Sequence, residues 1–242
     1  MIKTKIKNII KKILPKKFLK FLLIIKNIND FDYCYNSYSQ EGEDMLLRTI
    51  FGNKKGFYVD IGAHHPKRYS NTYYFYKIGW NGINIDAMPG SMNIFNKIRP
   101  RDINLEIAIS KNNKELDYYA FNEPAFNGFL KNDSVEKIKK DGFKLLFSKK
   151  IITKTLAEVL NLYLKDESKI DFMSIDVEGL DLEVLQSNDW NRYKPDVLLV
   201  EIHSYGLENV KDHKIYKYIS NKGYKLICST INTFIFKKKE LI

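Results

Sequence analysis

From residue 56 onward, short β-type apolar runs alternate with stretches whose apolar positions recur at helical spacing. Phe57–Ile61 (FYVDI) reads as a first strand ending in Gly62, and Thr72–Ile78 as a helix despite its aromatic content. Gly82–Asp86 (GINID) reads as a second strand, followed by a helix over about Ser91–Ile98 and a third strand over Ile103–Ala108. Ile170–Asp176 (IDFMSID) is a fourth strand, Leu180–Gln186 a helix, Asp196–Ile202 (DVLLVEI) a fifth strand, and a helix lies near Asp212–Asn221. Tyr224–Ser229 and Thr233–Lys237 form a terminal pair suited to a hairpin. Buried strands alternating with helices predict an α/β fold with a parallel, doubly wound sheet.

Residues 110–165 interrupt this rhythm and are too long for a simple crossover helix. They contain a strand candidate (Leu116–Phe121), an Asn/Gly/Pro-rich turn region (Asn122–Gly128), a Lys-rich stretch and a helix over about Leu156–Leu164. An insertion at the C-terminal edge of such a sheet shapes the substrate site, so specificity is expected to reside there. No internal repeat is visible.

The first thirty residues differ in character from residues 31–242, which are expected to be one domain. Ile2, Ile6, Ile9, Ile10, Ile13 and Leu14 recur at helical spacing between lysines, which predicts a basic amphipathic helix that Pro15 ends or kinks. A second apolar stretch, Phe18–Ile25, is interrupted by Lys20 and falls far short of the roughly 20 residues that span a bilayer. Residues 1–30 hold nine lysines against Asp30, a net +8 of the chain's +11, which leaves +3 for residues 31–242. The segment suits peripheral contact of residues 1–28 with an anionic membrane, or packing on the domain or a partner subunit. It lacks the small-residue cleavage site of a signal peptide. The mildly basic body carries no recognised RNA-binding module, so no nucleic-acid partner is expected. Cys34 and Cys228, the two cysteines, form no disulfide or zinc framework. A cytoplasmic setting, peripheral to the inner face of the membrane, is the expectation.

Candidate chemistry begins where the first strand ends. Val59-Asp60-Ile61-Gly62-Ala63-His64-His65-Pro66 carries Asp-x-Gly, and a glycine there lets the backbone approach a ligand. His64 and Pro66 break the G-x-G-x-x-G pattern, which weakens a nicotinamide or flavin reading. At the tip of the second strand, Asp86 is placed to accept hydrogen bonds from both ribose hydroxyls of a nucleoside; a solvent-facing Asp at a strand end is the plain alternative.

These segments together resemble the FkbM-type methyltransferases over roughly residues 38–205. The residues that carry the likeness are Tyr38-Ser39-Gln40-Glu41-Gly42-Glu43-Asp44, Val59–Ala63, Ser70-Asn71-Thr72, Gly79-Trp80-Asn81-Gly82-Ile83-Asn84-Ile85-Asp86-Ala87-Met88-Pro89 and Ile170–Gly179 (IDFMSIDVEG). His64-His65-Pro66 stands where the family has a small, Gly-containing turn, and Asp86-Ala87 where Glu-Pro is more usual. The resemblance implies a Rossmann-like class I methyltransferase fold: a mostly parallel seven-stranded sheet, helices on both faces and a terminal β-hairpin. It implies S-adenosylmethionine as donor and O-methylation of sugar or polyketide hydroxyls. By the same resemblance Asp60, Gly62 and Ala63 line the methionine side of the cofactor, with Gln40 and Asn71 in contact with it. Asp86 holds the ribose, Ala87 borders the adenine, and Ala108 completes the adenine pocket.

Methyl transfer from a sulfonium is an in-line displacement that needs an aligned acceptor and removal of its hydroxyl proton. The fourth strand ends in Asp176-Val177-Glu178-Gly179 beside the switch point of the sheet, where one carboxylate can act as base. The alternative is that Asp176 or Glu178 caps the following helix. His203, just past the fifth strand, has a suitable pKa, and His64 lies near the same cleft. Asp176, Glu178 and His203 also comprise a donor set for a divalent metal, although no metal is assigned. The expected function is O-methylation of a sugar, nucleotide-sugar or glycan acceptor in capsule or lipopolysaccharide biosynthesis. An RNA methyltransferase with a basic arm and a non-catalytic membrane adaptor are the alternatives; the presence of Asp60, Gly62 and Asp86 argues for an enzyme.

Overall fold

The computed structural model describes residues 15–28, 35–123, 126–129, 132–164, 169–202 and 208–242. The chain divides into two units, Met1–Asn36 and Ser37–Ile242. In the first, helix α1 (Lys16–Ile28) contains the Phe18–Ile25 stretch. The helix expected over residues 2–14 lies outside the described residues.

In the second unit the alternation predicted from sequence is present. Helix α2 (Glu43–Phe51) leads into β1 (Phe57–Ile61), α3 (Tyr73–Lys77), β2 (Asn81–Asp86), α4 (Met92–Ile98) and β3 (Ile103–Glu106). The insertion supplies β4 (Ala108–Ile109), β5 (Glu115–Phe121), α5 (Asn132–Lys140) and β6 (Leu145–Lys154). After it come α6 (Leu156–Tyr163), β7 (Phe172–Ile175), α7 (Asp181–Gln186), β8 (Val197–Glu201), α8 (Lys214–Asn221), β9 (Tyr224–Ser229) and β10 (Thr233–Lys238). The main sheet has seven strands in the order β3-β2-β1-β7-β8-β10-β9. The β3–β2–β1–β7–β8 pairs are parallel, and β10 inserts antiparallel between β8 and β9. The chain winds outward from β1 to β3 and then returns to the other side of β1, so the switch point lies between β1 and β7.

Because successive strand residues point to opposite faces, each strand feeds two cores. Val59, Ile61, Met173, Ile175, Leu198 and Val200 pack with Leu156, Val159 and Leu160 of α6, Val184 and Leu185 of α7, and Ile215 and Ile219 of α8. Tyr58, Phe172, Val197, Leu199 and Ile235 face the other way, against Leu47 and Phe51 of α2, Phe75 of α3 and Trp80. A strand buried on both sides has no polar face, which is why these strands read as continuous apolar runs.

One stretch of that second face is polar and buried. Asp60 is in register with Asn84 on β2 and Ser174 on β7. Below it sits Arg99, fully buried at the end of α4. Its Nε donates to Asp102 (2.8 Å), Nη1 to Thr72 (3.0 Å) and Nη2 to the Tyr58 hydroxyl (2.7 Å). Tyr58 and Asn84 both donate to Asp102, and Thr72 donates to Asp60 at 2.7 Å. The buried charges and hydroxyls thus meet one another, as their desolvation requires, while Asn84 Oδ1 has no hydrogen-bond partner among the described residues.

One local expectation is corrected. The third strand does not run through to Ala108: it stops at Glu106, the Ile107 amide bonds the Asp86 carbonyl (3.0 Å), and Ala108–Ile109 joins β6 instead. The Lys-rich stretch, to which the sequence pattern assigns no element, forms α5 and then the ten-residue β6, central in a three-stranded sheet β4-β6-β5. Among the described residues no helix is long and apolar enough to cross a membrane.

Candidate active site

The segment before α2 is tied down by its own acids. Asp44 is buried and accepts from the Ser37 hydroxyl (2.5 Å) and the Tyr38 amide (3.2 Å), while the Ser39 hydroxyl accepts from the Asp44 amide (2.8 Å). Glu41 accepts from Thr230 (2.7 Å) and from the amide and side chain of Asn232 (2.9 and 2.7 Å), which fastens this segment to the β9–β10 turn. The Ser-Gln-x-x-x-Asp motif is therefore a clamp that carries Gln40 to the rim of a cavity of about 740 Å3.

That cavity opens over the carboxyl ends of β1, β2 and β7, as the switch-point rule requires. Gly62 closes β1 with φ +82°, and its amide and that of Ala63 donate to the Ile85 carbonyl (2.9 and 3.0 Å). Asp86, at the tip of β2, accepts from the amides of His64 and Met88, both at 2.8 Å. Each carboxylate oxygen retains further acceptor capacity, so Asp86 is positioned by the backbone and still able to bind a ligand hydroxyl. Its carboxyl is held above the usual range by burial, with the two amide bonds acting in the opposite direction. The His64-His65-Pro66 turn replaces a glycine turn by a different route. His64 takes a left-handed φ of +51°, which aims its amide at Asp86, and His65 Nδ1 accepts the amides of Lys67 (3.1 Å) and Arg68 (3.0 Å). Asp60 lies beneath Gly62 and is pushed up to about 6, chiefly by burial, with Arg99 opposing that rise.

At the end of β7 the helix-capping alternative is settled against Asp176 and Glu178. Asp181, the first residue of α7, takes the amides of Val177 (3.2 Å) and Gly179 (3.1 Å) in the preceding turn, and the helix start has no side-chain cap. Glu178 itself has φ +51° and Gly179 +100°, a tight turn that presents Glu178 to the cavity. Carboxylate oxygens of Asp176, Glu178 and Glu201 all lie within 4.8 Å of one another. Glu201 ends β8, the neighbour of β7, and is hydrogen-bonded to Asp176; Asp176 Oδ1 has no partner among the described residues. Three anions this close require a proton or a cation among them. Burial first, then the charge of Asp176, pushes Glu201 well above the carboxylate range. Glu178 has substantial exposed surface yet sits amid protein at the cavity wall; partial desolvation, then Asp176 and Asp181, raise it to about 7.

The sign of the resulting pH dependence follows from proton counts. A carboxyl whose pKa is higher in the folded than in the unfolded chain binds more protons when native, so its contribution to stability falls as pH rises between the two values. For Glu201 that decline begins near its ordinary 4.5 and continues past neutrality. Glu201→Gln is therefore expected to raise the Tm of the ligand-free protein at about pH 8 and to flatten the Tm decline above about pH 5. Parallel Tm–pH curves for the two proteins would remove the shared proton from this site.

The insertion roofs the cavity. Tyr118 from β5 and the Asn127–Phe129 segment line it, and the Tyr119–Gly128 bridge holds that segment to β5. Asn127 Oδ1 accepts the Phe121 amide (2.8 Å), and a Cβ built at Gly128 would lie 3.5 Å from that of Glu178. Arg68, Tyr69 and Glu123 complete the polar part of the wall.

Of the residues singled out from sequence, Gln40, Gly62, Asp86, Ala87, Asp176 and Glu178 line this one cavity. Asp60 lies behind the wall in the Arg99 network; Asn71 donates to Ser174 (3.0 Å); Ala63 packs with Met92 and Phe95; Ala108 is buried in β4. His203 lies outside the described residues. Two residues of the site carry no mark in the sequence: Glu201, which meets Asp176 behind the cavity wall only through strand order, and Tyr118 on the wall, whose strand is legible but not its direction.

The profile of the methyltransferase FkbM domain matches residues 60–226, more than half of the chain. The chain belongs to the FkbM methyltransferase family. No curated protein matches it. Among solved structures, the FkbM methyltransferase from Methylobacillus flagellatus is similar at 10% identity and a TM-score of 0.48, over 83% of this chain and 48% of that one. This FkbM chain thus spans about half the length of that protein. A TehB-like S-adenosylmethionine-dependent methyltransferase from Corynebacterium glutamicum matches at 9% identity and TM-score 0.42, over 89% and 96% of the two chains. An O-methyltransferase from Bacillus cereus, solved with S-adenosylhomocysteine, matches at 12% and 0.37, over 98% of each.

The chain carries a methyltransferase FkbM domain, and S-adenosylmethionine is the donor that its resemblance implies. The cavity of this FkbM protein fits that donor. A bare Gly62 leaves backbone exposed at the β1 turn, Asp86 offers an acceptor for ribose, and Ala87, Ile107 and Ile109 give an apolar flank for a base.

Proposed function

We propose that this enzyme methylates a hydroxyl of a sugar, presented as a nucleotide-sugar or within a capsule or lipopolysaccharide intermediate. The observation that carries the reading is the carboxylate group at the end of β7, which faces the cavity with Asp176 Oδ1 unsatisfied among the described residues. A hydroxyl is a ligand group that can donate to such an oxygen. The Tyr69, Tyr118 and Phe129 rings and the Asn127 and Glu123 side chains offer the mixed apolar and polar wall that suits a sugar ring.

Bound S-adenosylmethionine supplies a methyl group already activated on a sulfonium. The protein must then hold the donor, orient the acceptor and remove a proton. Asp86 and the Gly62 turn hold the nucleoside end. Asp176 Oδ1 accepts the hydrogen bond of the acceptor hydroxyl and orients its oxygen. As the new bond forms the hydroxyl proton passes along that hydrogen bond to Asp176, and Glu178 beside it, poised near neutrality at about 7, takes it on. Glu201, protonated, donates to Asp176 and keeps the triad from carrying three charges.

Calorimetry with S-adenosylmethionine, comparing wild type with Asp86→Ala, probes how the donor is held; saturable binding that the substitution weakens is expected. Transfer of labelled methyl into nucleotide-sugars and glycan fragments tests the acceptor class. Asp176→Asn is expected to cut kcat by about 10²–10⁴-fold with donor affinity unchanged. A wild-type kcat in both Asp176→Asn and Glu178→Gln, measured on the same acceptor, would take the base away from the end of β7. Activity should survive EDTA; a loss restored by magnesium would give the three carboxylates a cation in place of the shared proton.

A further inference from the structure

Methyl transfer leaves helix α1 without a role. It spans Lys16–Ile28, and its first turn holds Lys16 and Lys17 and no acid. Phe18, Phe21 and Ile25 fall at the spacing that places residues on one side of a helix. They are 47%, 54% and 38% exposed, and Ile24 beside them is 49% exposed. The Phe18 and Phe21 rings lie 6.3 Å apart, a small aromatic platform rather than scattered apolar positions. Lys16 and Lys20, four residues apart, share a different side of the helix and are exposed.

We propose that α1 is a membrane-surface anchor that lies in the headgroup region of an anionic bilayer, with the Phe18–Phe21–Ile25 side in the acyl boundary. Charge complementarity selects this occupant. Nine lysines and a single acid, Asp30, occupy residues 1–30, whereas the remaining 212 residues carry +3. A helix docking on this chain's own mildly basic body, or on a second copy of the chain, would bring this cationic segment to a surface of like net charge. An RNA arm would need the lysines but not a row of exposed aliphatic and aromatic side chains. The surface of an anionic bilayer uses both halves of the pattern, lysines to approach it and aromatic rings to stay in it. Thirteen residues of helix rise only about 20 Å, enough to lie along a bilayer and too little to cross its roughly 30 Å core.

The test is flotation of the full-length chain with two kinds of vesicle, pure phosphatidylcholine and phosphatidylcholine with roughly one-third phosphatidylglycerol. Wild type is expected to float with the anionic vesicles and to stay behind with the neutral ones. Phe18→Ser/Phe21→Ser is expected to lower partitioning about tenfold for each phenylalanine removed. Lys16→Gln/Lys17→Gln/Lys20→Gln is expected to lower it about fivefold per lysine. Thermal unfolding of the variants at the wild-type Tm shows that the catalytic unit is intact. Absence of flotation with anionic vesicles overturns the proposal. So does flotation that the phenylalanine variant retains in full, because the segment would then be a purely electrostatic tail. Flotation absent together with a wild-type oligomer that the phenylalanine variant dissociates, seen by light scattering, also overturns it and gives the face to a second copy.

Discussion

Gly62→Ala is expected to abolish donor binding and methyl transfer. A Cβ built on Gly62 lies 1.6 Å from the backbone oxygen of Asp176 and 2.7 Å from its carbonyl carbon. No rotamer relieves a clash with main chain. The ends of β1 and β7 would have to part, and they are held by the Asp176 amide on the Ile61 carbonyl at 3.0 Å. The backbone at φ +82° adds strain of about 1–2 kcal/mol for any residue with a Cβ. Since Gly62 and Asp176 both line the cavity, parting them widens the turn proposed to hold the donor and displaces the carboxylate proposed to orient the acceptor. Calorimetry and a methyl-transfer assay on the folded variant check this. Gly179→Ala is the control: its φ is +100°, but nothing lies within 4 Å of a Cβ there, so only backbone strain of about 1–2 kcal/mol is expected. Donor binding by Gly62→Ala equal to that of Gly179→Ala would show that the close strand approach does not shape the site.

Arg99→Met is expected to be the most destabilising side-chain change away from the cavity. The substitution preserves apolar bulk but leaves Asp102 and Asp60 buried without their cation. Arg99 and Asp102 are both fully shielded as side chains, with 2.8 Å between Nε and Oδ2. Breaking one partner of such a pair costs about 3–5 kcal/mol, because the remaining charge has no water to return to. In a unit of this size that lowers Tm by roughly 10 °C. Arg99→Lys should recover only part of the loss, since a single ammonium cannot reach Asp102, Thr72 and Tyr58 in three directions. Urea unfolding followed by circular dichroism measures both variants; a midpoint for Arg99→Met indistinguishable from wild type would mean that the network contributes little.

The strands of the main sheet are legible in the sequence because burial on both faces leaves a continuous apolar run, and FYVDI, GINID and DVLLVEI are such runs. β6 is not, for the opposite reason. Along Leu145–Lys154 only Thr153 is buried, so the residues carry no alternation and the strand exists through its pairing with β5. Arg99 and Asp102 read as ordinary polar residues after a helix, and nothing local marks them as buried. They become a core feature only when β1 and β2 bring Tyr58 and Asn84 against them.

The carboxylates show the same division within one site. Asp86, Asp176 and Glu178 stand out in the sequence because each lies at a strand end, and a strand end in a parallel α/β sheet points to the ligand edge. Asp181 and Glu201 sit just as near, but their roles depend on geometry that spacing does not contain. The bonding of Asp181, rather than its neighbours, to the turn amides follows from the path of the chain through two positive φ values at Glu178 and Gly179. The meeting of Glu201 with Asp176 follows from β8 lying next to β7.

By itself, then, the amino-acid sequence determined the alternating strands and helices, the glycine turn, the strand-end acids and the basic, apolar-faced N-terminal segment. All of these are local: periodicity, backbone freedom and charge are properties of a few consecutive residues. The tertiary structure alone decided which acids meet at one site, which arginine is buried, and how the 110–165 insertion closes the cavity. Those outcomes depend on desolvation and on contacts between residues far apart in the chain, and their energies arise only after strand order has brought the residues together.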